Sequence, residues 1–249
     1  MRETAAAAKL LLLLLGLVLV VLGAALLLLL DRRRRRSGCG SHLGAHVELL
    51  GRPMRIVQLS ADPVVRLVRG FASSEEAQEL ISRFEPLLQR STVSTQGGGD
   101  TAHHESRTSW SAFLPAGSGD DVIQRLEDRA VLLTGKPRQM METLQLVRYA
   151  DASQFYKPHF DWFVGEPEAQ RTTTIFLYLN DTHGEAPTHF PRLGLSVSPE
   201  CGAACIWENA FLHGRGLKCD ERLEHAGVAP LKGQKYGVNI WFRSLPFRT

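Results

Sequence analysis

Cysteine is scarce in this chain and never closely paired. The four cysteines, Cys39, Cys201, Cys205 and Cys219, include no Cys-x-x-Cys, which argues against a structural zinc module built from thiolates. A large charge of one sign is lacking too. The net charge is +3, and five arginines fall in the single run Arg32 to Arg36, so the remainder is close to neutral. This excludes the basic face of a nucleic-acid-binding domain, and no nucleic acid is expected as a partner. Cys201 and Cys205 flank a Gly-Ala-Ala turn. In an oxidising compartment either pairs with the other or with Cys219, and the spacing leaves the connectivity open.

Long apolar runs are also absent, with one exception. Leu10 to Leu30 gives 21 consecutive apolar or glycine residues, enough at about 1.5 Å per residue to span a hydrocarbon core of roughly 30 Å. A cleaved signal peptide would have a shorter apolar region and a small-residue cleavage site, whereas this run ends in leucines followed by Asp31 and the arginines. The expectation is a short tail (1–9), an uncleaved transmembrane anchor (10–30), a basic, flexible linker (31–61) and a single domain (62–249). The arginine run outweighs Arg2 and Lys9 before the helix, so the positive-inside rule by itself would leave the domain in the cytosol.

Within the domain, Val64 to Val68 predicts a first strand. Ser73 and Glu76 have the capping-box spacing, and Ala77, Leu80, Ile81, Phe84, Leu87 and Leu88 continue with helical periodicity. A second helix is expected from Asp120 to Leu133, with Gly135 as its stop. The Gly-rich stretch Gln96 to Ser106, with His103 and His104, predicts a mobile loop. Thereafter the runs are short and β-type: Leu144 to Tyr149, Thr172 to Leu179, Leu195 to Ser198, Ala203 to Trp207 and Gly237 to Phe242. Two helices followed by many short strands indicate an α+β domain with a β-sandwich core.

The candidate chemistry centres on Phe155-Tyr156-Lys157-Pro158-His159-Phe160-Asp161-Trp162. On a strand, residues two apart share a face, so His159 and Asp161 can converge on one ion. His225 supplies the candidate third ligand of a two-histidine, one-carboxylate triad, the donor set of non-haem Fe(II) oxygenases. Lys235, ten residues beyond His225, offers a cation for an anionic co-substrate.

The order Tyr149, Tyr156, His159-x-Asp161, Thr172 to Thr174, Tyr178-Leu179-Asn180, Phe190-Pro191, His225 and Lys235 resembles the prolyl 4-hydroxylase branch of the Fe(II)/2-oxoglutarate dioxygenases, over residues 62–247. The resemblance implies a double-stranded β-helix, or jelly roll, with flanking helices. It implies His159, Asp161 and His225 as metal ligands, Lys235 as a catalytic-site cation, and co-substrate contacts from Lys235, Tyr156, Tyr149, Thr174 and Trp241. Fe(2+), 2-oxoglutarate, O2 and L-ascorbate come with it, as does a proline-containing peptide or protein as substrate. A sister dioxygenase with another substrate and a non-catalytic jelly-roll binding domain are the alternatives. Arg107-Thr108-Ser109 resembles the segment after the family's substrate-covering loop, which makes 96–106 a candidate lid. Membrane-anchored relatives place the domain in the lumen of the endoplasmic reticulum or Golgi, and that orientation is the expectation adopted over the arginine run. The chain departs from the pattern at Glu185-Ala186-Pro187-Thr188-His189-Phe190-Pro191, where both glycines of the family's Gly-Gly-Glu-Thr-x-Phe-Pro turn are lost, and at Val228-Ala229-Pro230, which replaces Cys-Pro-Val.

Overall fold

The computed structural model describes residues 44–94, 101–117, 119, 121–163, 169–182, 186–214 and 216–248. The tail, the apolar run at 10–30 and residues 31–43 lie outside them. So do Thr95 and the glycine-rich part of the expected lid, 96–100. No helix among the described residues is long and apolar enough to cross a membrane.

In chain order the strands begin with β1 (Ala45–Leu49), β2 (Arg52–Ala61), β3 (Val64–Arg69), β4 (Gln89–Arg90), β5 (Val93–Ser94), β6 (Thr101–Ala102), β7 (Trp110–Leu114) and β8 (Leu144–Tyr149). They continue with β9 (Phe155–His159), β10 (Arg171–Tyr178), β11 (Thr188–Phe190), β12 (Leu195–Val197), β13 (Ala204–Glu208), β14 (Ala210–His213), β15 (Gly216–Cys219), β16 (His225–Val228) and β17 (Lys235–Arg243). A nine-stranded sheet runs β1-β2-β3-β13-β10-β17-β8-β7-β4, and a four-stranded sheet runs β12-β11-β16-β9. Two helices, α1 (Ser74–Phe84) and α2 (Val122–Thr134), complete the framework. The result is mainly β with few helices, consistent with a jelly roll.

The helices begin and end as their sequences dictate. Ser73 caps α1 and its hydroxyl accepts from the Glu76 amide, while the Glu76 carboxylate accepts from the Ser73 amide, so two otherwise unpaired amides are satisfied. Asp121 caps α2, and Gly135 closes it in the left-handed conformation. Their apolar faces, including Leu80, Phe84, Ile123 and Leu126, pack on Val68, Leu146, Ile175, Leu177, Val238 and Ile240 of the large sheet. Each such side chain contributes about 1.5–3 kcal/mol by leaving water.

The opposite face of the large sheet meets the small sheet. Val65, Leu67, Val147, Phe176, Tyr178 and Trp207 pack there with Phe190, Val197 and Leu223. Strand alternation therefore sorts β17 in two: Tyr236, Val238, Ile240 and Phe242 join the helix-side core, and the intervening positions point between the sheets. This parity places Lys235, Asn239 and Trp241 on the face where β9 and β16 lie.

Two expectations need correction. The linker expected at 31–61 does not extend to 61: β1 and β2 form a hairpin through Leu50 and Gly51, both at positive φ (53° and 71°), and β2 pairs with β3 in the large sheet. The cysteines Cys201, Cys205 and Cys219 are free thiols. Cys201 packs on the helix-side core and Cys205 on the inter-sheet core, so the sheet separates them.

Candidate metal centre

The centre is built where the small sheet pairs β9 with β16. His159, the last residue of β9, stands opposite His225, the first of β16. Asp161 lies two residues past the end of β9, so the metal pair expected within one strand is formed by a strand and the bend after it. Its carboxylate Oδ1 is 3.8 Å from His159 Nε2, and Oδ2 is 3.7 Å from His225 Nε2. One donor atom from each of the three falls within 4.8 Å of the others.

Neighbouring groups fix how these donors point. Nδ1–H of His159 donates to the Lys157 carbonyl at 2.9 Å, and that of His225 to the Leu223 carbonyl at 3.0 Å. A carbonyl can only accept, so each Nδ1 carries the proton and each Nε2 lone pair faces the centre. Asp161 Oδ2 accepts from the Thr174 hydroxyl at 2.7 Å and from Trp241 Nε1–H at 3.0 Å. Thr174 is itself bonded by the Asn209 amide. Arg171 lies 3.8 Å from Oδ1, stacks on Trp241 at 3.6 Å and is clamped by both oxygens of Glu142.

The protonation states suit a metal. Burial, then the neighbouring His225, holds His159 neutral with its pKa near 3. Burial works against the Asp161 carboxylate, but His225, Arg171, His159 and Thr174 outweigh it and bring its pKa down to about 2. A neutral imidazole facing an ionised carboxylate is what a divalent cation requires of its ligands. Two imidazoles and one carboxylate, grouped on one side, fit Fe(II) and leave its other positions open.

The triad lines a cavity that, with the open solvent at its mouth, takes in about 410 Å³, with Arg107, Tyr149, Tyr156, Phe176, Thr188, Gly227, Lys235, Asn239 and Trp241 among its other walls. Lys235 is 1 % exposed, and burial lowers its pKa to about 7. Tyr156 stacks on His159 with centroids 3.5 Å apart, beneath the Arg107 guanidinium. Tyr149, opposite Lys235 in the β8–β17 register, is held protonated by burial, its pKa pushed up to about 12. A Cβ on Gly227 would lie 2.3 Å from the Tyr149 hydroxyl, so only glycine leaves room for this ring.

Of the expected co-substrate contacts, Lys235, Tyr156, Tyr149 and Trp241 reach the cavity. Thr174 does not line it: its hydroxyl holds the metal carboxylate instead. Trp241 does both. His103 and His104 have backbone and serine partners, Ser91 O and Ser106 Oγ. The sequence reading missed Glu142, Gln145, Asn239 and Gly227. Only strand parity would have found Asn239, two residues from Trp241. Arg107, noted for its motif, is bridged to Tyr156 on β9, and donates to Gln145 Oε1 at 3.0 Å.

A family model for the 2OG-Fe(II) oxygenase superfamily matches residues 144–243, which contain the whole triad and Lys235. The fold and donor set therefore define an Fe(2+)- and 2-oxoglutarate-dependent oxygenase. Prolyl 4-hydroxylase 1 of Arabidopsis thaliana is 30% identical over 203 residues, covering 74% of this chain and 70% of the relative. Prolyl 4-hydroxylase subunit alpha-1 of Mus musculus is 36% identical over 167 residues, 63% of this chain and 30% of that subunit. Among solved structures, the viral collagen prolyl hydroxylase of Paramecium Bursaria Chlorella virus-1 in its 2OG complex aligns with a TM-score of 0.59 at 22% identity, covering 73% of this chain and 96% of that one. The chain belongs to the prolyl 4-hydroxylase family, and it is an enzyme of the proline 4-dioxygenase type.

Proposed function

We propose that this protein hydroxylates proline in a peptide or protein, coupling the reaction to oxidative decarboxylation of 2-oxoglutarate to succinate and CO2, with one atom of O2 entering succinate and the other the proline. The observation that carries this reading is the cavity itself, which holds a complete two-histidine, one-carboxylate set and a buried lysine. Iron held by His159, Asp161 and His225 supplies the oxidising power. The chain's own residues do the positioning. Thr174 and Trp241 orient the Asp161 carboxylate, Lys235 binds the remote carboxylate of 2-oxoglutarate, and the aromatic walls of Tyr149, Phe176 and Trp207 exclude water. L-ascorbate belongs to this reading as the reductant that restores iron after uncoupled turnover.

The finer proposal is a single-pass protein of the endoplasmic reticulum or Golgi, anchored through residues 10–30 with the catalytic domain in the lumen. Its support is the uninterrupted apolar run and the location of secretory substrates of membrane-anchored relatives.

The test is to incubate the full chain in detergent with Fe(2+), 2-oxoglutarate, ascorbate and a proline-rich peptide. Mass spectrometry should show one added oxygen on proline, with one succinate per oxygen. Succinate without peptide oxidation would replace this reading with a dioxygenase of another substrate, and neither product with a binding module.

A further inference from the structure

The Lys235 ammonium already has three acceptors. Nζ donates to the backbone carbonyls of Ala186 at 2.7 Å, Val228 at 3.2 Å and Pro187 at 3.5 Å, one for each of its N–H groups. Two of these carbonyls belong to Ala186 and Pro187, the described residues of the turn that leads into β11. Ala186 is buried there at φ 61°, in the left-handed region that alanine avoids because its Cβ crowds the following carbonyl. The Pro187 carbonyl also accepts from the Val228 amide at 3.3 Å, so the turn is tied to the end of β16. Thr188, the next residue, lines the cavity with Lys235. It is at this turn that the sequence departs from its family by losing both glycines.

We propose that the Ala186–Pro187 turn is an internal cap on Lys235, and that a ligand carboxylate binds by displacing the turn's carbonyls, opening it. The proposal rests on the reading of Lys235 as the 2-oxoglutarate cation. A carboxylate oxygen arriving within hydrogen-bond reach of Nζ finds every N–H engaged, and it is repelled by carbonyl oxygens that crowd the same ammonium. The carbonyl bonds hold the turn shut. Ala186 works the other way, because its left-handed backbone relaxes once the turn lets go. The two effects oppose each other, which keeps the cap displaceable. An anion anchored at its other end by the metal can complete the exchange, whereas one held by Lys235 alone meets the full competition of the turn.

The Val228 amide reports the cap directly, because its acceptor is the Pro187 carbonyl. Hydrogen exchange is measured on the full chain loaded with Zn2+, which supports ligand binding without turnover, with and without saturating 2-oxoglutarate. Val228 should exchange about tenfold faster with ligand, against the usual gain of protection on binding, while Ala226 and Gly227 are unchanged or slower. In ligand-free Lys235→Met the carbonyls have no ammonium to hold, and Val228 should exchange at the fast rate. A Val228 amide unchanged or slowed by ligand overturns the proposal, as does ligand-free Lys235→Met exchanging as slowly as the parent. Calorimetry on the same samples keeps the two ideas apart. If 2-oxoglutarate does not bind the parent, the co-substrate reading of Lys235 fails, and the ligand-free comparison still decides the cap.

Discussion

Lys235 lends itself to a pH experiment with a definite sign. In the free protein, burial lowers its pKa from 10.5 to about 7. A carboxylate binds the ammonium and not the amine, so above pH 7 each binding event must first return a proton to the lysine. Affinity for 2-oxoglutarate should therefore be flat below pH 7 and fall about tenfold per pH unit above it, a loss of about 1.4 kcal/mol per unit. Calorimetry of the Zn2+-loaded protein in buffers of different ionisation enthalpy should find close to one proton taken up per ligand at pH 8 and almost none at pH 6. Lys235→Met should abolish the pH step. At pH 6 it should also weaken binding by about 30- to 5000-fold, from about 2–5 kcal/mol for stranding a buried charge. Iron affinity should change little, because Lys235 contacts the turn and not the triad. Affinity independent of pH from 6 to 8 without proton uptake, or an unweakened Lys235→Met, would refute the assignment. Arg107, the other cation in the cavity wall, would then be the group to test, since Arg243 is committed to Glu142 at 2.5 Å.

His159→Ala, Asp161→Ala and His225→Ala should each abolish turnover and lower Fe(2+) affinity in step, as measured by equilibrium dialysis, because two ligands do not hold the ion on its open face. Near-normal turnover in any one of them removes that residue from the triad. Gly227→Ala forces a Cβ to 2.3 Å from the buried Tyr149 hydroxyl, and thermal unfolding should show a loss of about 1–3 kcal/mol, as for other overpacked sites. Much of it should return in the double variant with Tyr149→Phe, and absence of coupling would mean the ring moves aside. In sealed microsomes protease should spare everything beyond about residue 31 until detergent is added, and digestion of the domain without detergent would reverse the lumenal assignment.

How far the sequence could be read varied with the kind of signal. Ser73 with Glu76 and Gly135 are local instructions: α1 starts at the first and α2 stops at the second, whereas α1 ends at Phe84, short of Leu87 and Leu88, where Glu85-Pro86-Leu87 turns into a short 3-10 segment. β8 spans Leu144–Tyr149, as its apolar pattern predicted. The β1–β2 hairpin escaped because its turn is Leu50-Gly51, without the Asn or Asp that usually marks such a turn, and because β1 alternates with little apolar content. The triad was legible from the His159-x-Asp161 spacing and a distant histidine, although the bend after β9, and not strand parity, is what delivers Asp161. Thr174, expected at the co-substrate, bonds the Asp161 carboxylate instead. The resemblance put it near the co-substrate, but whether its hydroxyl faces the cavity or supports the carboxylate depends on where the bend after His159 delivers Asp161. Glu142 and its clamp on Arg171 depend on pairing between segments far apart in the chain, which no local pattern encodes.

The alternation of β17 has a consequence for how this enzyme can be altered. Because Lys235, Asn239 and Trp241 share one strand with Val238, Ile240 and Phe242 but face the other way, inserting or deleting one residue in it would send the cation and the Asp161 donor into the helix-side core and three large apolar groups into the cavity. Misalignment here has no half-measure: a slipped chain loses both its binding groups and its packing, so a folded population should contain no stable species with an intact core and a scrambled site. Substitutions are another matter. At alternate positions of this strand they act on chemistry or on stability, but seldom on both, which leaves the pocket open to change in specificity while the scaffold stays as it is.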